Sequence, residues 1–240
     1  MGILDFFFSS KIKTTSFYEL HHRIVKLRAE NLYPYPYNLP QAIQFPPDFW
    51  RDLIGIYNKT FKDGLERAFS VFWADGEVVL TEVNTGSDKM VKSGGTIQVK
   101  YSHHPTKSDY ARKELYVDGK LLKKRDVYNK NVPKALEVQY LFNIHTHPKH
   151  TREDGSTYYN FFSAQDITAL LSSKAIMTGL VTDKLWLLIR SDKTPGQIEG
   201  LTDAQVTPQY VQEVLHMGLY LAQFEKKAFS YKILKDKDLI

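Results

Sequence analysis

The sequence predicts an α/β fold in which a mixed, mostly antiparallel sheet is flanked by helices. Apolar residues recur at helical spacing in capped segments such as residues 47–63. Asp75-Gly76 and Asp118-Gly119 each stand between two apolar runs, which is typical of β-hairpin turns. Read along the chain, the signals give the order helix, hairpin, further strands, helix, hairpin, helix. That order predicts the α/β class.

The composition is that of an ordinary globular protein. The chain has 240 residues, of which 42% are hydrophobic, and this is enough for a buried core in one domain with additions. The net charge is +5, but the Lys and Arg residues are spread out, so no nucleic-acid surface is predicted. No cysteine occurs, which excludes disulfides and thiolate ligands. Any metal must therefore be held by His and carboxylate side chains.

Targeting signals are not apparent in the sequence. No apolar run has the length of a membrane span, and residues 1–8 lack the basic region of a signal peptide. A cytoplasmic protein that does not act at a membrane is therefore expected.

The N-terminal region is predicted to be an extension of the main domain. Ser16 and Glu19 form a capping-box pattern, which predicts a helix from Ser16 to about Asn31. Residues 31–47 are rich in Tyr and Pro and predict an extended arm. We therefore assign residues 1–45 to a helical N-terminal extension with this arm, and residues 46–240 to the main domain.

The main domain carries further signals of regular structure. Helix 47–63 has Pro47 in its first turn and Gly64 just past its end, as helices favour. Apolar positions spaced along one face predict a long amphipathic helix from Pro208 to about Tyr231. The remaining predictions are strands: a hairpin around 74–76, a strand at 96–101, a hairpin around 118–119 and a hairpin from runs 176–181 and 185–189.

The candidate site begins where an apolar run, Tyr140 to Ile144, meets His145-Thr146-His147-Pro148. Side chains alternate along a strand, so both imidazoles point the same way if the strand continues that far. Pro148 cannot donate a ladder hydrogen bond and ends the strand. The single pattern is weak, because two histidines so spaced are also found as half-exposed strand residues.

A carboxylate follows at the start of a predicted helix. Ser163 and Asp166 precede the apolar positions Ile167, Leu170 and Leu171, which indicates a helix start. Ser163 with Asp166 also fits a purely structural capping box. Together with two imidazoles, however, Asp166 makes a three-ligand zinc set that leaves a fourth position for water.

The arrangement resembles the JAMM (MPN-plus) zinc metalloprotease family, whose signature is a distant Glu, then His-x-His-Pro, then Ser-x-x-Asp. The resemblance implies the JAMM/MPN fold, which is similar to that of cytidine deaminases. It also implies that His145, His147 and Asp166 bind Zn²⁺ and that Ser163 assists the oxyanion. Eighteen residues separate His147 from Asp166, a longer interval than the family usually has.

The catalytic Glu implied by the resemblance leads the strand that follows a helix, and here that residue is Glu66. Its role would be to accept the proton of the attacking water and to pass it to the leaving amine. Glu77, Glu82 and Glu137 remain alternatives, although Glu66 alone stands between a helix C-cap and an apolar strand.

The resemblance implies a deubiquitinase-like isopeptidase or peptidase that removes or processes a ubiquitin-like protein at its C-terminal tail. The partner is then a ubiquitin-like protein or its conjugates; the oligomeric state is not predicted. Two alternatives remain: a non-catalytic scaffold or binding module of the MPN type, and a zinc hydrolase of another small or peptide substrate. The inserted loop, residues 149–162, is expected to affect substrate choice more than metal affinity. His103-His104-Pro105 and His216 are expected to lie outside the site, the first at the surface and His216 as a packed residue.

Overall fold

The computed structural model describes residues 14–16, 39, 42–92, 94–173, 175–223 and 228–231. Within these residues it confirms an α/β class with a mostly antiparallel sheet and few helices. In chain order the helices and strands are β1 (Thr14–Ser16), β2 (Ala42–Gln44), α1 (Pro47–Asp63), β3 (Arg67–Ala74), β4 (Glu77–Leu80), β5 (Asn84–Thr85), β6 (Ile97–His103), β7 (Tyr110–Val117), β8 (Lys120–Tyr128), β9 (Val138–Thr146), β10 (Lys149–Thr151), β11 (Thr157–Tyr159), α2 (Ala164–Ser172), β12 (Met177–Val181), β13 (Leu185–Ile189), α3 (Pro208–Glu213), β14 (Gly218–Ala222) and β15 (Ala228–Tyr231).

A ten-stranded sheet forms the centre of the fold. Nine strands follow the order β1-β2-β15-β14-β13-β12-β9-β3-β4, and β5 pairs with β3 as the tenth. Two neighbouring pairs in the described sheet are parallel, β1 with β2 and β9 with β12. Parallel strands require a crossover connection, and α2 provides it between β9 and β12. This crossover places the start of α2 near the end of β9.

Apolar layers cover both faces of the sheet. One layer packs α1 against β3 and β9 and includes Trp50 and Phe142. The other packs α2 and α3 against the sheet and includes Ile167 and Val211. Successive residues of a strand point into opposite layers, as Leu187 and Leu188 of β13 do. None of the helices in the described ranges is both long and apolar enough to cross a membrane.

The two Asp-Gly hairpins are confirmed. Asp75 and Gly76 have φ values of 45° and 89° between β3 and β4. Asp118 and Gly119 have φ values of 49° and 78° between β7 and β8. Two-residue turns with positive φ at both positions match the right-handed twist of paired strands. The predicted hairpin of β12 and β13 and the helix of residues 47–63 are confirmed as well.

A separate three-stranded sheet of β6, β7 and β8 packs beside β3 and β4. Val79 of β4 lies in a small apolar cluster with Val99 and Leu115. The almost fully buried Lys113 side chain forms an ion pair with Asp75, with its Nζ 2.9 Å from the Asp75 carboxylate. Residues 97–128 therefore form an ordered unit at one end of the main sheet.

The prediction of a long helix from Pro208 to about Tyr231 is wrong. The chain forms the short helix α3, and then the strands β14 and β15. His216 has a φ of 52°, a left-handed conformation that does not continue a helix. Leu219 and Tyr220 are both buried because β14 has a core layer on each face. The residues of β14 therefore form a continuous apolar run, and such a run also fits the spacing of apolar residues in a helix.

The N-terminal predictions fall mainly outside the described residues. Of the helix predicted from Ser16 to about Asn31, the structure describes only Ser16, which ends β1. Residues 42–44, which were assigned to the extension, form β2 and pair with β15. Ile43 of this strand is fully buried in the core. The division at residue 45 stays a prediction.

The end of α1 yields a stability prediction. Gly64 has a φ of 71°, and its N–H donates to the carbonyl of Thr60 at 2.9 Å. Gly64→Ala should lower the free energy of unfolding by about 1 kcal/mol, because a Cβ is crowded in this conformation. Gly55→Ala in the same helix, where nothing lies within 4 Å of the new Cβ, should raise it by up to about 1 kcal/mol. Urea unfolding measures the free energy of unfolding of both variants. Equal values for the wild type and Gly64→Ala would contradict the prediction.

Candidate metal centre

The two histidines lie together at the end of β9. Strand alternation places His145 and His147 on one face, as predicted, and both are buried. Their Nε2 atoms are 3.2 Å apart. The backbone N–H of His147 donates to the carbonyl of Val181 at 3.0 Å, so the strand ladder extends to this residue before Pro148.

Asp166 reaches the same point from the first turn of α2. Its Oδ2 atom lies 3.3 Å from His145 Nε2 and 3.9 Å from His147 Nε2. Ser163 caps the helix, and both its N–H and its hydroxyl donate to Asp166 Oδ2 at 2.8 Å. The capping box thus holds the carboxylate in place. His145, His147 and Asp166 form a group whose ligand atoms all lie within 4.8 Å of one another, and it can hold a metal ion.

A backbone carbonyl orients His147. The Nδ1 atom of its ring lies 3.0 Å from the carbonyl oxygen of Asn160, which can only accept a hydrogen bond. The proton of neutral His147 is therefore on Nδ1, and the lone pair of Nε2 faces His145 and Asp166. Metal-binding histidines almost always have such an outer partner.

Charge and burial act against each other in this group. Burial raises the pKa of Asp166, but the positive charge of His145 and the hydrogen bonds from His145 and Ser163 outweigh it and hold the pKa well below its usual range. Burial lowers the pKa of His145, but Asp166 outweighs it and the pKa is raised. The pKa of His147 falls to about 4, through burial and then the charge of His145. His147 is therefore neutral at neutral pH, as a metal ligand must be.

Glu66 lies beside the histidines, directly before β3. Its side chain is buried, and its Oε1 atom is 3.9 Å from His147 Nε2. Burial raises the pKa of Glu66 to about 7. Backbone hydrogen bonds to Gly86 and Ser87 hold the residue from the other side.

The other candidate glutamates lie elsewhere. Glu77 pairs with Lys113 and Lys123 beside the three-stranded sheet, and Glu82 pairs with Lys120. Glu137 accepts a hydrogen bond from the indole N–H of Trp73. Of the four glutamates considered, Glu66 alone lines the cavity at the histidines.

The cavity has a volume of about 790 Å³. Residues 88–92 line it, and so do His150 and Tyr158 of the segment 149–162. That segment forms the hairpin of β10 and β11, in which the His150 and Tyr158 rings lie 5.5 Å apart. The inserted segment is thus ordered, and its far end supplies the Asn160 carbonyl.

The remaining histidines considered lie outside this group. The side chain of His104 is only 6% exposed, which corrects the expectation of a surface residue, and its Nε2 atom is 3.1 Å from Asp126 beside the three-stranded sheet. His103 is exposed. His216 is also exposed, which corrects the expectation of a packed histidine.

Two supporting residues were not predicted from the sequence. Asn160 acts through its backbone carbonyl, for which no residue type is a signal. Thr146 lies between the two histidines and points to the opposite face, where it contacts Thr60 and the N–H of Arg67. For Thr146 the sequence offered only its place between the two predicted ligands, which does not indicate its contacts with Thr60 and Arg67.

Comparisons with protein-family models, with curated proteins and with solved structures found no match to this chain.

The arrangement predicts one metal ion per chain. His147→Ala should reduce metal content at least tenfold, because it removes one of three protein ligands. His104→Ala is the matched control, since it removes another largely buried histidine beside a carboxylate and should leave metal content unchanged. Elemental analysis of the dialysed proteins measures the metal content of the wild type and of both variants. Equal metal in the wild type and His147→Ala would contradict the site.

Proposed function

We propose that the chain is a zinc-dependent isopeptidase or peptidase of the JAMM type, which removes or processes a ubiquitin-like protein at its C-terminal tail. One observation carries this proposal. His145, His147 and Asp166 meet within one cavity, and the buried Glu66 lies beside them. These four residues come from three separate segments of the chain and match the catalytic Glu and the metal ligands of the family signature.

The donor set suits zinc. Two imidazoles and one carboxylate favour a transition metal over Ca²⁺ or Mg²⁺, which prefer oxygen ligands. Tetrahedral zinc with bonds of about 2.0–2.1 Å places its ligand atoms about 3.3 Å apart. The distances from His145 Nε2 to His147 Nε2 and to Asp166 Oδ2 are 3.2 Å and 3.3 Å, and the distance from His147 Nε2 to Asp166 Oδ2 is 3.9 Å. When bound, zinc supplies Lewis acidity that polarises a carbonyl and makes water a better nucleophile at neutral pH.

Glu66 has the position of a general base. Its carboxylate lies at the edge of the ligand group without belonging to it, since its Oε1 atom is 3.9 Å from His147 Nε2. Burial raises the pKa of Glu66 to about 7, and a divalent cation held by the neighbouring ligands would favour the ionised carboxylate. It then accepts a proton from the attacking water and gives that proton to the leaving amine.

Ser163 has a structural part and a proposed catalytic part. Its hydroxyl donates to Asp166 Oδ2 in the capping box, which orients this ligand. Assistance to the oxyanion requires that the hydroxyl turn from Asp166 toward the substrate carbonyl. Its place at the cavity wall allows such a contact.

An extended substrate tail fits the surroundings of the cavity. The two-stranded sheet of β10 and β11 stands beside the cavity, and neither strand has a second pairing partner among the described residues. An extended peptide can add to such an edge through main-chain hydrogen bonds. A Gly-rich tail would enter most easily, because side chains near the scissile bond would crowd the cavity.

Glu66→Gln should retain zinc but lower turnover at least a hundredfold, because an amide cannot accept the proton of water. Glu82→Gln is the control: this exposed glutamate pairs with Lys120 outside the cavity, and its loss should leave turnover unchanged. Zinc content and cleavage rate are measured on the same preparations. Activity of Glu66→Gln within a few-fold of the wild type would assign the base to another group.

The substrate proposal is tested with a ubiquitin-like protein linked through its C-terminal Gly to a Lys side chain. The wild type should cleave this conjugate, and both a chelator and a bulky residue in place of the final Gly should prevent cleavage. If neither conjugate is cut while an unrelated peptide is, the isopeptidase proposal fails and only the metallohydrolase proposal survives. If nothing is cut by a zinc-loaded protein, a non-catalytic binding module is the better account.

A further inference from the structure

Thr146 connects the strand that carries the two histidines to the segment that carries Glu66. Its side chain is fully buried and points away from the imidazoles, as strand alternation requires. Its hydroxyl oxygen accepts a hydrogen bond from the backbone N–H of Arg67 at 2.9 Å. The same oxygen lies 2.8 Å from the hydroxyl oxygen of Thr60 near the end of α1.

Arg67 extends this connection on the other side of Glu66. Its guanidinium donates to the hydroxyl of Thr60 at 3.2 Å and to the backbone carbonyl of Leu65 at 3.0 Å. It also forms an ion pair with Asp63 in the last turn of α1. The residues before and after Glu66 are thus both held by groups that connect α1 to the end of β9.

The Thr146 hydroxyl acts where the regular pairing of strands stops. The pairing of β3 with β9 ends at Ala68 and His145. Beyond that pair, the N–H of Arg67 bonds to a side chain and no longer to a backbone carbonyl of β9. Glu66 follows directly on this side, so this hydrogen bond lies at the point where the backbone leaves the strand towards Glu66.

We infer that Thr146 is a positioning residue that sets the location of the Glu66 carboxylate relative to the metal ligands. The expected effect of Thr146 on turnover rests on the proposed function, whereas its expected effect on the position of the Glu66 carboxylate does not. Without the hydroxyl, the buried N–H of Arg67 loses its acceptor, and the Glu66 segment moves to find another. The imidazoles stay on the opposite face of β9, where His147 retains its bond to Asn160.

The test compares Thr146→Val with Thr81→Val. Thr81 is a matched control, because it is also buried and its hydroxyl also accepts a backbone N–H of β3, that of Ser70, at 2.9 Å. Both variants should lose a similar few degrees of thermal stability. Only Thr146→Val should lose turnover, by about ten- to a hundredfold in kcat, as expected from a small misplacement of a catalytic group. Thr146→Ser keeps a hydroxyl and should therefore retain most of the wild-type kcat.

Two readouts separate positioning from a general structural role. The dissociation constant and absorption spectrum of bound Co²⁺ should be the same in the wild type and Thr146→Val, because the ligand group is unchanged. A crystal structure of the metal-loaded variant should show the Glu66 carboxylate displaced from its wild-type position. An undisplaced carboxylate, a kcat equal to that of Thr81→Val, or weakened Co²⁺ binding would each overturn the inference. If the wild type cleaves no substrate, the proposed function fails, while the displacement of Glu66 still decides the positioning role.

Discussion

The parallel crossover from β9 through α2 to β12 is the feature on which the candidate site depends. A helix that follows a strand in such a unit begins near the end of that strand, and α2 therefore presents Asp166 to the two histidines. The hairpin of β10 and β11 lies within this connection and leaves both ends of it in place. A long connection costs little more than a short one here, because loop-closure entropy grows slowly with loop length.

Burial of four ionisable side chains at one point is costly, and the structure offsets that cost through specific partners. Asp166 is stabilised by His145 and Ser163, and neutral His147 donates to the Asn160 carbonyl. At Glu66 burial outweighs the positive charge of His145 and raises the pKa of the carboxyl group to about 7. Buried ionic groups of this kind are weak sources of stability and are found mainly where chemistry needs them. Two carboxylates and two imidazoles also balance the charge of a divalent cation.

The sequence was sufficient where local chemistry determines local structure. Gly64 ends α1, the Asp75-Gly76 turn joins β3 to β4, and Ser163 caps α2, because each depends on one residue type at one position. The sequence was not sufficient for β14, whose apolar residues face two core layers and carry no strand-like alternation. The Asn160 carbonyl and the Thr146 hydroxyl depend on tertiary proximity, which no residue spacing records.

We propose that two imidazoles and one carboxylate hold a zinc ion and leave one position open to solvent. X-ray absorption at the zinc edge of the metal-loaded protein tests this most directly. We expect four ligands at about 2.0–2.1 Å, two of them with the scattering signature of imidazole and two of them oxygen. A shell of six oxygen atoms, or a shell with fewer than two imidazoles, would contradict the account.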